Sequence, residues 1–235
     1  MNYTSSNSRS AFSKTKIIEI VGPAGAGKTT LYQALGCYTD HIRLENFPDV
    51  HKWSDAPFYI LNGIRLISSL VRLPKSNSRQ LTRREFAWMS ILYGWSALLR
   101  KQSKESNKTI ILDQGPIYLL AEMRLFGPEY LRQSSADSLW HDFYKCWRTT
   151  LDMVVLLDAA NDILLERIRN REQGLIVKDQ PAPVVYDYLN RYRTQYAFLL
   201  STLAMKNTNL KILRCDSGLM QPEDVLKRFL SELGC

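Results

Sequence analysis

The run Gly22-Pro23-Ala24-Gly25-Ala26-Gly27-Lys28-Thr29 constrains this chain more than any other stretch. It matches G-x-x-x-x-G-K-[ST], the spacing of a loop that cradles phosphates when a strand feeds it and a helix leaves it. Both neighbours fit. Residues 17–21, IIEIV, read as a buried strand, and residues 29–35, TTLYQAL, lead out as a helix. Gly22, Gly25 and Gly27 let the backbone curl so that N–H groups turn toward phosphate oxygens. The positive end of the following helix dipole adds to that field. Lys28 is placed to reach the β- and γ-phosphates, and the Thr29 hydroxyl to ligate Mg²⁺. The expected donor site therefore comprises Gly22, Pro23, Ala24, Gly25, Ala26, Gly27, Lys28, Thr29 and Thr30, with ATP as the nucleoside triphosphate and Mg²⁺ as its metal.

The rest of the chain agrees with an α/β fold. Besides 17–21, apolar β-branched runs at 109–113, 153–158 and 210–215 predict strands covered on both faces, with a weaker strand at 41–45. Longer stretches with helical spacing lie between them. That alternation predicts a parallel five-stranded sheet flanked by helices, in one domain over 15–235. Residues 55–108 read as largely helical, divided near Pro74 and the KSNSR run. The first fourteen residues are polar and rich in Ser and Asn. They predict a disordered tail and carry no secretory signal.

Composition removes several classes. No apolar run approaches the ~20 residues of a membrane-spanning helix. Cys37, Cys146, Cys215 and Cys235 are far apart, without ligand spacing, which predicts reduced thiols in a cytoplasmic protein. Three histidines, His41, His51 and His141, leave little for a histidine-based metal site. Thirty-one basic residues against 23 acidic give a net charge of +8, so an anionic partner is expected.

No Asn-Lys-x-Asp run follows a later strand, which argues against a GTPase, and no acidic pair of the motor or transporter kind ends a strand. Instead, a basic helix follows the VVLLD run. Arg167 and Arg171 are four apart and are expected on one helix face, where two guanidiniums could close over a triphosphate. A solvated charged face is the plainer reading of the same residues.

With these elements in place, the chain resembles the deoxynucleoside kinase and thymidylate kinase group of small P-loop kinases. The similar segments are the phosphate loop, Glu45 with Pro48-Asp49-Val50-His51-Lys52-Trp53, Asp113-Gln114-Gly115, the lid run from Arg167 to Gly174, and Arg214-Cys215-Asp216-Ser217. Their order spans nearly the whole chain after the tail. The resemblance implies the P-loop NTPase fold with a helical lid over 166–182 and an acceptor-side helical region over 55–108. It implies that Glu45 takes the proton of an acceptor hydroxyl, that Asp113 sits near Mg²⁺ or the acceptor, and that Arg167 and Arg171 are lid arginines. Asp216 and Ser217 would lie beside the adenine. The plainer readings are a solvent-exposed loop acid for Glu45 and a helix N-cap for Asp113.

The acceptor side departs from the group's pattern. Gln114 stands where an arginine normally follows the acidic residue, and the helix before that strand offers Tyr93, Gly94 and Trp95 without an arginine. Trp88, Met89, Leu92, Tyr93 and Trp95 read either as an apolar acceptor pocket or as core at helical spacing. Between residues 59 and 112, ten Lys and Arg face two Glu, a net +8. Apolar residues interleave with them, a pattern shared by membrane-surface helices and by ordinary basic rims.

Three functions follow in order. The first is an ATP-dependent phosphotransferase moving the γ-phosphoryl to a hydroxyl of a small molecule, a nucleoside or a nucleotide. The second is a nucleotide-binding switch or assembly protein without an acceptor. The third is a kinase acting on nucleic-acid ends, although no nucleic-acid module is recognisable. A homodimer is compatible with the sequence.

Overall fold

The computed structural model describes residues 15–38, 40–48, 56–73, 79–172, 174–205 and 209–233. The tail at 1–14, the Asp49–Trp53 run, Pro74 and most of the KSNSR run, Gln173 and Cys235 lie outside the described residues.

Strand β1 (Ile17–Val21) is buried along its whole length and forms the centre of a parallel sheet. It pairs with β3 (Thr109–Asp113) on one side and β4 (Met153–Asp158) on the other. β2 (Ile42–Glu45) lies outside β3, and β5 (Lys211–Asp216) outside β4, giving the order β2-β3-β1-β4-β5. The expected strands are all present; β2 and β5 each begin one residue later than the sequence suggests, and β5 ends one later. The register sets Ile20 beside Asp113, Glu45 beside Leu112, and Asp158 beside Asp216. The carboxyl ends of all five strands therefore share one edge, where ligands bind in open α/β sheets.

Strand alternation divides the core in two. Ile18 and Ile20 join a layer with Leu31, Leu35, Leu164, Val225 and Phe229, drawn from α1 (Lys28–Leu35), α6 (Asn161–Arg169) and α8 (Pro222–Leu233). Ile17 and Val21 face the other layer, built from α3 (Arg83–Ser106), α4 (Pro116–Phe126), α5 (Asp137–Arg148) and α7 (Ala182–Ala204). Helix α2 (Ala56–Leu70) packs on α3, and two short 3₁₀ turns, Glu129–Arg132 and Ser134–Ala136, lead into α5.

Local chemistry explains the start of α3. Thr82 Oγ1 accepts from the Glu85 N–H at 3.2 Å, and Glu85 Oε2 accepts from the Thr82 N–H at 2.8 Å, a reciprocal capping box. Arg79 then grips both Glu85 oxygens, at 2.6 and 2.7 Å. Within α3 the aromatic stripe is mainly core. Met89, Leu92 and Trp95 are fully buried, and Trp95 lies edge-on to Trp147 and Phe47, with centroids 6.1 and 6.0 Å away. Trp88 and Tyr93 are half-buried.

The run 166–182, expected as a helical lid, is helical only at its start. Helix α6 ends at Arg169, Asn170 caps it, and the described residues from 171 to 181 form turns.

Candidate functional site

The phosphate loop leaves β1 at the centre of the sheet's carboxyl edge. Gly25 has φ of 81°, and a Cβ there would stand 2.9 Å from the Leu164 carbonyl oxygen, so the loop lies tight against α6. Gly27, the residue before α1, is left-handed with φ of 85°, and a Cβ there would meet nothing within 4 Å. Its side of the loop is open. Helix α1 begins at Lys28, and the N–H groups of its first turn have no partner inside the helix.

Beside that turn is a cavity of about 500 Å³. Gly25 through Leu31 form one wall; Arg167, Arg171, Ser217 and Glu223 add charged and polar groups, and Leu157, Met220, Pro222, Val225 and Leu226 apolar ones. Gly22, Pro23 and Ala24 are not in that lining. Lys28 Nζ donates to the carbonyls of Gly22 and Pro23, at 2.8 and 2.9 Å. Burial pushes the Lys28 ammonium down to about 8, while the Asp113 carboxylate opposes that shift and Arg171 adds to it.

Arg167 and Arg171 do different things. Arg167 donates to the Gly25 carbonyl at 3.3 Å, to Ser217 Oγ at 3.1 Å and to the Ser217 carbonyl at 2.8 Å. It clips the loop after β5 to the phosphate loop. Arg171 does not share a helix face with it, because α6 has ended two residues earlier. The turn after Asn170 nevertheless brings Arg171 to the cavity wall, where its charge is felt by both Lys28 and Asp113. Ser217 lines the cavity, whereas Asp216 does not. The Asp216 carboxylate accepts from the Gly218 and Leu219 N–H groups, at 2.8 and 3.2 Å, and shapes the turn.

Asp113 ends β3 and is not the cap of α4. That place is filled by Gly115, without a side-chain hydrogen bond, and the work is done by Glu19 from the middle of β1. Glu19 Oε2 accepts from the Ile117 N–H at 2.8 Å, and Oε1 from the Tyr118 N–H at 3.0 Å. Glu19 is fully buried, and burial pushes its carboxyl up to about 8, against the pull of those two N–H groups and with a contribution from Asp113. Gly115 leaves room for it, since a Cβ there would sit 2.8 Å from the Glu19 carboxyl carbon.

Freed from capping, Asp113 faces the loop. Burial raises its carboxyl above the ordinary range, while the Lys28 charge, the Gln114 N–H and Arg171 pull it back. Its Oδ1 is buried and has no hydrogen-bond partner. Gln114 takes a left-handed conformation with φ of 58° as the chain turns into α4.

Glu45 is the last residue of β2 rather than a loop acid, and its side chain is 18% exposed. Arg43 Nε donates to its Oε2 at 2.6 Å. Tyr32 on α1 reaches across and donates to the Glu45 carbonyl at 3.4 Å. Burial first, then the charges of Asp113 and Glu45, push the Tyr32 phenol up to about 12. Lys28, Tyr32, Glu45, Asp113 and Arg171 thus form one electrostatic neighbourhood.

Among the described residues, no group of three His, Cys, Asp or Glu could hold a metal alone. An orphaned carboxylate oxygen beside a phosphate loop suits Mg²⁺, which keeps waters and takes phosphate oxygens with one or two protein ligands. Asp113 and Thr29 fit that donor set.

Sequence reasoning missed Glu19, Tyr32 and Arg193. Arg193 on α7 donates to both Asp158 oxygens, at 2.8 and 3.0 Å, and to the Ala159 carbonyl at 2.7 Å. It braces the turn between β4 and α6, behind the phosphate loop. No local pattern marks an arginine so far along the chain as the partner of the aspartate in VVLLD.

A central strand feeding a glycine loop and helix, with acidic residues ending β2 and β3, makes this a phosphate-loop α/β fold. Among solved structures, this chain is similar to deoxyadenosine kinase from M. mycoides with bound dATP, at a TM-score of 0.51 and 16% identity, over 93% of this chain and 100% of that one. It is also similar to thymidylate kinase from Candida albicans, at a TM-score of 0.54 and 17% identity, over 94% and 92%. No protein-family model matches the chain, and neither does any curated protein sequence. The likeness is one of fold.

Proposed function

We propose that this chain is an ATP-dependent phosphotransferase that moves the γ-phosphoryl of ATP to a hydroxyl of a small molecule, a nucleoside or a nucleotide. The observation that carries this reading is the meeting of Lys28, Asp113 and Arg171 in one neighbourhood, with Glu45 on the next strand. Phosphoryl transfer needs positioning and charge neutralisation more than covalent help from the protein.

In this reading the loop N–H groups and the start of α1 hold the phosphates, and the apolar wall from α8 receives the rest of the nucleotide. Lys28 and Arg171 balance charge on the transferring group. Asp113 and Thr29 would hold Mg²⁺, which would supply Lewis-acid stabilisation of the charge on the phosphates. Glu45 accepts the proton of the acceptor hydroxyl as its oxygen bonds to phosphorus and the bond from phosphorus to ADP breaks. Arg167 orders the donor side by pinning the loop after β5.

The acceptor side favours an uncharged acceptor. Gln114, in place of an arginine, supplies no charge there to grip an acceptor phosphate. The test is ADP release from ATP and Mg²⁺ with panels of nucleosides, nucleoside monophosphates and other hydroxyl metabolites. Release stimulated by uncharged hydroxyl compounds supports the reading. Efficient turnover of thymidine monophosphate would contradict the uncharged acceptor, and stimulation only by oligonucleotides would contradict the small-molecule acceptor.

A further inference from the structure

Helix α2 carries an apolar stripe that no described residue covers. Ile60, Ile64, Ile67 and Val71 are 64%, 63%, 50% and 78% exposed, and Leu61 beside them is 52% exposed. At 3.6 residues per turn, the first four fall in one narrow strip along the helix. The Val71 N–H still donates to the Ile67 carbonyl at 2.9 Å, so the strip runs through the end of the helix. The opposite face is spent on packing: Asn62, Gly63 and Leu66 are buried, and a Cβ on Gly63 would touch the Phe86 ring of α3 at 3.3 Å.

One flank of the stripe is basic. Arg65 and Arg72 are exposed, and neither makes an ion pair among the described residues. No acidic residue occurs in α2, and the wider segment 59–112 carries ten Lys and Arg against two Glu. Single exposed apolar side chains need no explanation, but a contiguous row of branched ones does.

The combination narrows the occupant. Nucleic acid offers anions but no apolar phase for four isoleucine and valine side chains. A second copy of the chain offers an apolar stripe, yet it brings the same arginines and the same positive segment against its twin. An anionic bilayer offers acyl chains and negative headgroups side by side. We propose that α2 docks this chain on an anionic lipid surface, with Ile60, Ile64, Ile67 and Val71 at the acyl boundary and Arg65 and Arg72 among the headgroups. The helix lies in the interface; among the described residues, no helix is long and apolar enough to cross a membrane.

Co-sedimentation of the full chain with vesicles tests this, using phosphatidylcholine alone and phosphatidylcholine mixed equally with phosphatidylglycerol. The chain is expected to pellet with the mixed vesicles, to stay with the supernatant of the neutral ones, and to be released by salt. Ile64→Glu with Ile67→Glu is expected to weaken binding by roughly tenfold or more, and Arg65→Glu with Arg72→Glu to do the same. All four side chains are exposed, so an unchanged melting curve separates lost docking from lost folding. Wild-type protein left in the supernatant of the anionic vesicles would overturn the proposal. So would apolar variants that pellet like wild type, or a wild-type dimer that Ile64→Glu splits while vesicles bind neither form.

Discussion

Glu19 Oε2 accepts a hydrogen bond from the Ile117 N–H at 2.8 Å, joining the middle of β1 to the first turn of α4 across 98 residues of sequence. This contact gives α4 its cap and leaves Asp113 free to face the phosphate loop. It also makes stability depend on pH. The Glu19 carboxyl, at about 8 in the folded chain, stands above its ordinary value of 4.5. Between those values the native state keeps a proton that the unfolded chain releases. The Glu19 contribution is therefore full below pH 4.5, declines as pH rises toward 8, and is level above it. Urea unfolding across that range should show the decline. Glu19→Gln should flatten it while lowering stability at the acid end by about 1–3 kcal/mol, because the amide NH2 that replaces one carboxyl oxygen cannot accept the N–H that oxygen held.

Gly27 separates the loop's binding role from its folding role. Alanine there meets no neighbour within 4 Å, so its cost to folding is the left-handed backbone alone, about 1–2 kcal/mol. Its methyl group projects into the open side of the loop. Gly27→Ala should melt only slightly below wild type and yet lose ATP affinity by more than that strain accounts for. Thermal melts paired with nucleotide titration check this; a parallel, equal loss in both would contradict it.

Arg167 acts as a clip through a fork of donors. Arg167→Ala removes three hydrogen bonds between α6, the phosphate loop and the turn at Ser217. It should raise the KM for ATP and lower stability by about 1–3 kcal/mol. Arg167→Lys should recover little of either, because one ammonium cannot span acceptors placed for a planar guanidinium. Steady-state kinetics and urea melts on both variants decide it.

Trp95 is structural. It is fully buried against Trp147 and Phe47, and its indole Nε1 has no hydrogen-bond partner. Trp95→Ala should cost about 3–5 kcal/mol of stability by urea unfolding. Trp95→Phe should keep most of that stability and leave the choice of acceptor unchanged.

Much of this was legible in the chain, for identifiable reasons. Strands buried on both faces must be apolar throughout, so 17–21, 109–113 and 153–158 stood out, and a glycine loop between strand and helix has one dominant use. What was hidden is long-range. Glu19 sits in a run that reads as apolar, and nothing nearby shows that its carboxylate meets a helix start 98 residues away. The spacing of Arg167 and Arg171 suggested a shared face, but a helix that stops at Arg169 breaks the geometry on which that spacing depends. The aromatic stripe of α3 could be pocket or core by pattern alone. Packing against α5 put Trp95 in the core.

Lys28 ties nucleotide binding to pH. Its ammonium, held near 8 by burial, attracts phosphate only when protonated. ATP affinity should therefore fall as pH rises through 8, by up to about tenfold per pH unit, and Lys28→Met should bind weakly with no such slope. The decisive measurement follows labelled γ-phosphoryl from ATP in the presence of Mg²⁺ and a small-molecule metabolite extract. Label is expected on a small-molecule hydroxyl with wild-type protein and none with Lys28→Met. ATP binding without any transfer, or transfer that survives Lys28→Met, would contradict the proposed function.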